Sequence, residues 1–287
     1  MTALHLSAQT DSFWLSWSLD PIAIILVPLA ALLYARGLRT LGPSPRFHGS
    51  WRPWTFYSGL AFAILALMSP LDHLSDELFI AHMAQHILLM LVAAPLVLLG
   101  APMIPLLRGV PRPIRRGVVI PIAQSLPVRM FLRLLTSPLV AWPLYVAVFV
   151  GWHTPGLYVA ALENPRVHTL EHALFAAAAY LFWWNVIDPL PLKPNLSYLL
   201  RVPYVFVMVV PTFVLGAFIT FTKEPWYAPY ALTTEKYALS HLEDQQLGGA
   251  AMWIAGSFIM GAAMLLNLVY VVRTEQAKQD VEEEASG

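Results

Sequence analysis

From Phe79 to Leu99 the chain carries no charged side chain, and several further runs share this character. As a helix, about 20 apolar residues cross the ~30 Å hydrocarbon core of a bilayer. Seven such segments can be drawn, at about Pro21–Tyr34, Trp54–Met68, Phe79–Leu99, Leu134–Trp152, His168–Ile187, Val202–Phe221 and Gly248–Val272. Only 12% of residues are charged, where a soluble domain carries about 25%. Lipid offers no partner to backbone N–H and C=O groups, and no alternating barrel pattern is present, so the segments are expected to be helices. The first two are short by apolar count, but Trp14, Trp17, Trp51 and Trp54 beside them suit a membrane interface. Pro28, Pro95, Pro143, Pro203 and Pro211 predict kinks that pack against neighbouring helices. The expected fold class is all-α, an integral membrane bundle of seven transmembrane helices. Residues 1–272 form a single membrane domain, and residues 273–287 a polar, disordered cytoplasmic tail.

Charge sets the expected orientation. Of the 17 basic residues, all but Arg166, Lys223 and Lys236 fall in one alternate set of loops, including Arg36, Arg39, Arg46, Arg52, the run from Arg108 to Arg133, Lys193 and Arg201. By the bias of Lys and Arg toward the inside, the N-terminus is outside and the C-terminus inside. The segment before the first span lacks a convincing cleavable signal, so that helix is expected to be retained. Net charge is zero, so no nucleic-acid or acidic partner is implied, and there is no cysteine, which excludes disulfides and thiolate metal ligands.

With this topology every histidine but His48 falls in one layer, in outer loops or at the outer ends of helices. His5, His73 and His241 are in or beside loops, and His82, His86, His153, His168 and His172 are in or at the ends of spans. His82 and His86 are four apart, as are His168 and His172, so on helices each pair shares a face with Cβ atoms about 5–6 Å apart. A neutral imidazole in hydrocarbon needs a partner, and polar groups inside membranes mark function. A metal ion can satisfy several imidazoles at once while neighbouring groups hold their other ring nitrogens. The expected ligands are therefore His82, His86, His168 and His172, with His153 as a further one. Asp76, Gln85 and Glu171 are candidates to support them, as are His241, Asp244 and Gln245 on one face of the last segment. Met83 and Met90 fill the core first, but beside imidazoles a thioether suits Cu(I).

Other features have plainer readings. Asp72, His73, Asp76 and Glu77 read as a solvated loop and helix cap, with metal contact as the alternative. Trp226, Tyr227, Tyr230 and Tyr237 read as interfacial aromatics. Gly248, Gly249, Gly256 and Gly261 read as close helix packing. The basic stretch RGVPRPIRR reads as a topogenic signal touching anionic lipid.

Several motifs run in order: SPLD (Ser69–Asp72), SDxLFxxHMxQH (Ser75–His86), LLxLGAP near Leu98–Pro102, GWHxPxxY (Gly151–Tyr158), HxxEHxxF (His168–Phe175) with FWW (Phe182–Trp184), and DQQLGGxxMW (Asp244–Trp253). In these the chain resembles the polytopic CtaG family of cytochrome c oxidase assembly proteins, over about Trp54 to Val272. The first segment and the tail stand outside this resemblance. The lack of cysteine sets the chain apart from a single-span, cysteine-bearing copper chaperone that shares the family's name. The resemblance implies a multi-pass protein of the bacterial plasma membrane that matures a haem-copper oxidase by delivering copper. Its partners would be the lipid bilayer and an oxidase subunit docked at the outer face.

The expectation is a metallochaperone rather than an enzyme, with a shallow, partly open copper site. A zinc-dependent membrane hydrolase would use the same histidines, with an open position for water and Glu171 or Asp244 as general base. A b-type cytochrome would need a second histidine pair near the inner face, which is missing. A scaffold without metal is the remaining alternative.

Overall fold

The computed structural model describes residues 16–41, 49–188, 190–192 and 194–286, with side chains to residue 284. His5, Trp14, Arg46, His48 and Lys193 lie outside the described residues, as does most of the stretch read for a signal. Among the described residues, all regular secondary structure is helical. In chain order the helices are α1 Ala23–Leu41, α2 Arg52–Leu67, the short α3 Pro70–Ser75, α4 Phe79–Leu99, α5 Met103–Gly109, α6 Arg112–Gln124, α7 Leu126–Thr136, α8 Pro138–Trp152, α9 Pro155–Glu163, α10 Pro165–Trp184, α11 Tyr198–Phe221 and α12 His241–Ser286. Each expected apolar segment is covered largely by one helix. Four helices, α1, α4, α11 and α12, are long and apolar enough to cross a membrane. The count rises to six if the bent pairs α6–α7 (66°) and α8–α9 (71°) are single spans. By length and composition the described residues thus hold four to six such spans. At 16 residues α2 is short, and the first half of α10 carries Arg166, His168, Glu171 and His172.

The bundle is arranged around α4. In its apolar stretch 56% of residues are buried, against 11% for α1 and 17% for α12. The outward faces carry Ile25, Leu32, Phe206, Phe218, Phe258 and Leu266, all exposed. A water-soluble protein would bury such faces, and a membrane protein turns them to lipid.

The middle of α4 winds as a π-helix from Leu88 to Ala93, with the Ala94 N–H bonded to the Leu89 carbonyl. Pro95 then has no N–H for the next carbonyl in that register, that of Met90. The Trp183 indole of α10 supplies the bond instead (Nε1 to O, 2.9 Å). The expected kink at Pro95 is thus a widened turn repaired by a neighbouring helix.

Close packing fixes α12 on α4 and α11. A Cβ on Gly248 would lie 2.2 Å from the Phe79 ring, and one on Gly249 would lie 2.8 Å from the Thr220 backbone nitrogen. The other two glycines differ. At Gly256 a Cβ would meet only Leu91, at 4.0 Å, and at Gly261 nothing. The tail expected to be disordered continues α12 as helix to Ser286. Its Glu, Gln, Lys and Ala are strong helix formers, and Lys278 pairs with Glu275 at 2.8 Å.

A candidate metal centre at one end of the bundle

The end of the bundle holding the start of α4 collects the histidines. The α3–α4 junction is tied down at several points. Asp244 of α12 accepts from the Phe79 and Ile80 amides (2.7 and 3.1 Å), capping a helix that is not its own. Gln85 donates to the Ala66 carbonyl and to Asp72 Oδ1, both at 2.7 Å. From that anchored start, His82 and His86 point one way at one-turn spacing. They meet Glu171 and His172 on the second turn of α10.

The four side chains offer ligand atoms that all lie within 4.8 Å of one another. His82 Nε2 is 3.1 Å from His86 Nε2 and 3.7 Å from Glu171 Oε2, while His86 Nε2 is 4.0 Å from Glu171 Oε1. Metal–nitrogen bonds of about 2.0–2.1 Å in a tetrahedron put ligand atoms about 3.4 Å apart, inside this range. All four residues are buried, with His82 and Glu171 wholly so.

Hydrogen bonds set which nitrogens carry lone pairs. The Tyr230 hydroxyl donates to the Ser75 carbonyl (2.9 Å), so it accepts from Tyr158 (2.9 Å) and from His82 Nδ1 (3.4 Å). With its proton on Nδ1, His82 keeps a lone pair on Nε2, inside the cluster. At the α8–α9 break the His153 backbone N–H turns to the Gly151 carbonyl, and its Nδ1 takes the Phe149 carbonyl (2.6 Å). A carbonyl only accepts, so the His153 Nε2 is also a lone pair. It has no partner, and the same holds for His86 Nδ1, His168 Nε2, His172 Nε2 and both carboxylate oxygens of Glu171. A buried polar group without a partner is costly, and a cation in the cluster would satisfy Glu171 and His172. The donor set of imidazole nitrogens and one carboxylate fits zinc or copper.

The other expected residues are placed as follows. His168 stands at the mouth, half-buried, with its ring 4.3 Å from that of His172 and 5.4 Å from that of His82. His153 is buried on the far side, its ring 6.4 Å from His86. Neither joins the group of four, whereas Glu171, expected only to support the ligands, does. Asp76 is exposed beside this end. His241 Nε2 donates to the Tyr227 carbonyl (2.8 Å) and Gln245 Oε1 accepts from the Trp226 amide (2.6 Å), so both hold the α11–α12 loop rather than the cluster. Met83 and Met90 are buried core residues next to it.

That loop departs most from the sequence reading. Tyr227 and Tyr230, expected at an interface, are completely buried. Tyr227 stacks on Phe79 (4.8 Å between centroids) and donates to the His153 carbonyl (2.9 Å). The site is therefore roofed rather than shallow and open. Only the density of tyrosines in an otherwise polar loop could have signalled this.

The family model for the cytochrome c oxidase caa3 assembly factor matches residues 32–274, most of the chain. The chain belongs to this family. The match begins inside α1, so the family extends further toward the N-terminus than the motifs alone suggest. Among curated proteins, an uncharacterized protein of Mycobacterium bovis and one of Mycobacterium tuberculosis are each 25% identical over 274 residues, covering 92% of this chain and 40% of theirs. The chain thus spans about two fifths of the length of those relatives. No solved structure matches it.

Proposed function

We propose that this assembly factor holds a copper ion as cargo in the cluster of His82, His86, Glu171 and His172 and hands it to an oxidase subunit. The supporting observation is the convergence of buried donor atoms from α4 and α10 on one spot, those of Glu171 and His172 without partners. His168, half-buried at the mouth, is the residue on which an ion would arrive and leave. His153 and Tyr230 complete the set, Tyr230 by fixing the His82 proton. The topology is seven spans with the N-terminus outside and C-terminus inside, which puts the cluster near the outer face of a bacterial plasma membrane. Residues 1–272 form the membrane domain.

The rival zinc hydrolase would use the same cluster. Hydrolysis needs an open coordination position and a path for water and substrate to the ion, and the tyrosine roof with the complete burial of His82 and Glu171 weighs against it.

The test is metal content. Protein isolated without added metal or affinity chelation should contain copper by elemental analysis. The His82→Ala/His172→Ala double variant should lose the ion held by this cluster, so that copper stoichiometry falls, and lower oxidase activity in cells. Unchanged copper stoichiometry in the double variant would overturn the proposal.

A further inference from the structure

Just below the cluster, between α4, α8, α11 and α12, lies a narrow cavity of ≈ 30 Å³. Four of the chain's 10 methionines line it: Met83 and Met90 from α4, and Met252 and Met260 from α12. His86 and His153 stand on its wall. All six residues are buried, and the lone-pair nitrogen of His153 has no partner. The helical spacing explains the placement. Met83 and Met90 are seven apart, two turns on one face of α4, while Met252 and Met260 are eight apart on α12 with Gly256 midway between them. At Gly256 a Cβ would touch only Leu91, at 4.0 Å, so the missing side chain leaves the gap. Methionine fills apolar cores routinely. Here four methionines and two histidines instead border an unfilled space. Thioether and imidazole together select Cu(I) over harder divalent ions.

We propose that Met83, Met90, Met252 and Met260, with His86 and His153, form a second, soft-metal site that binds Cu(I) beneath the histidine–glutamate centre. This inference rests on the copper reading of that centre. A neutral imidazole has one lone pair, so His86 serves one ion at a time: it stays with the upper centre when both sites are filled, and an ion passes between them when His86 exchanges. Nitrogen and carboxylate bonds are replaced by thioether bonds, the ion enters as Cu(I), and no electron moves.

The experiment is Cu(I) titration of the full-length protein in detergent against a chromophoric chelator, with X-ray absorption at the copper edge. The wild type should bind two Cu(I), with sulfur among the scatterers. Met252→Leu/Met260→Leu, close to volume-conserving, should bind one and lose at least half of the sulfur signal. Gly256→Leu, which fills the cavity without removing a sulfur, should do the same. Zn²⁺ binding at the upper centre should persist in both variants, which also reports that they fold. Copper bound through nitrogen and oxygen alone, or a sulfur signal unchanged in both variants, would overturn the second site and leave the upper centre standing. Sulfur-bound Cu(I) in a wild type that takes up no Zn²⁺ would support the second site and count against the upper centre.

Discussion

Tyr230 decides how His82 can behave. Its hydroxyl is committed as a donor to the Ser75 carbonyl, so it receives the Nδ1 proton and leaves Nε2 free for a metal. Loss of such an outer contact costs about 10–100-fold in metal affinity. Tyr230→Phe should weaken Zn²⁺ or copper binding by that factor in a competition titration with little change in stoichiometry. Glu171→Gln keeps the shape and removes the anion. It should lower divalent affinity more than tenfold and leave the melting temperature of the metal-free protein little changed, since a carboxyl buried without a cation takes up a proton. The paired histidines were legible because a spacing of four has one meaning on a helix. The role of Glu171 was not, because a carboxylate between two histidines points inward or outward according to which face of α10 is buried. Tyr230 was less legible still, since it lies far from His82 in sequence and meets it only through the loop's tertiary path.

Among the helices, α4 and α10 are joined twice, at the cluster and again at Met90 and Trp183. The second joint offers a double-mutant test. Trp183→Phe leaves the Met90 carbonyl unpaired in an apolar setting and should cost about 1–3 kcal/mol. Pro95→Ala restores an N–H to the turn, so adding it to Trp183→Phe should recover much of that loss in denaturant unfolding. Additive effects would show that the indole bond does not compensate for the proline. Gly248→Ala should destabilise by about 1–3 kcal/mol, because its methyl group meets the Phe79 ring and pushes α12 off the start of α4. A kink at Pro95 was legible in the sequence, since proline lacks a donor. Which side chain would supply one was not, because that depends on the rotation of α10 against α4. The continuation of α12 past Val272 was missed for another reason: a charged, polar composition reads as disorder even where its residues are good helix formers.

The whole molecule is polar at its two ends and apolar between them. Arg201 and Asp188 pair at 2.6 Å at the end opposite the cluster, near Arg52, whose guanidinium reaches the Leu99 carbonyl at 3.2 Å. The chain has no cysteine, so single cysteines report orientation cleanly. In intact cells Glu235→Cys should react with an impermeant maleimide, and Arg116→Cys should react only after permeabilisation. The reverse pattern would invert the topology. The loop should also respond to pH. Burial pushes Glu77 upward, but bonds from Lys236 Nζ (2.7 Å) and the Tyr237 hydroxyl outweigh it and hold Glu77 below the usual 4.5. A carboxyl lowered by folding adds stability above its unfolded value and loses it as pH falls through the folded one. Hydrogen exchange in the 222–240 loop should therefore quicken as pH drops below 4.5, relative to the intrinsic rate, and Glu77→Gln should flatten that dependence.

The roof over the cluster has a kinetic consequence. Tyr227, Tyr230, Thr233 and Lys236 fasten it to α3, α8 and the α3–α4 junction, so it lifts only when several bonds break together. An ion beneath it would be released at the rate of that lifting rather than at the rate its own bonds dictate. Small chelators would then strip it slowly however strongly they bind. A docking protein that competes for the fastenings would draw it out quickly, so that release is timed by contact with the recipient.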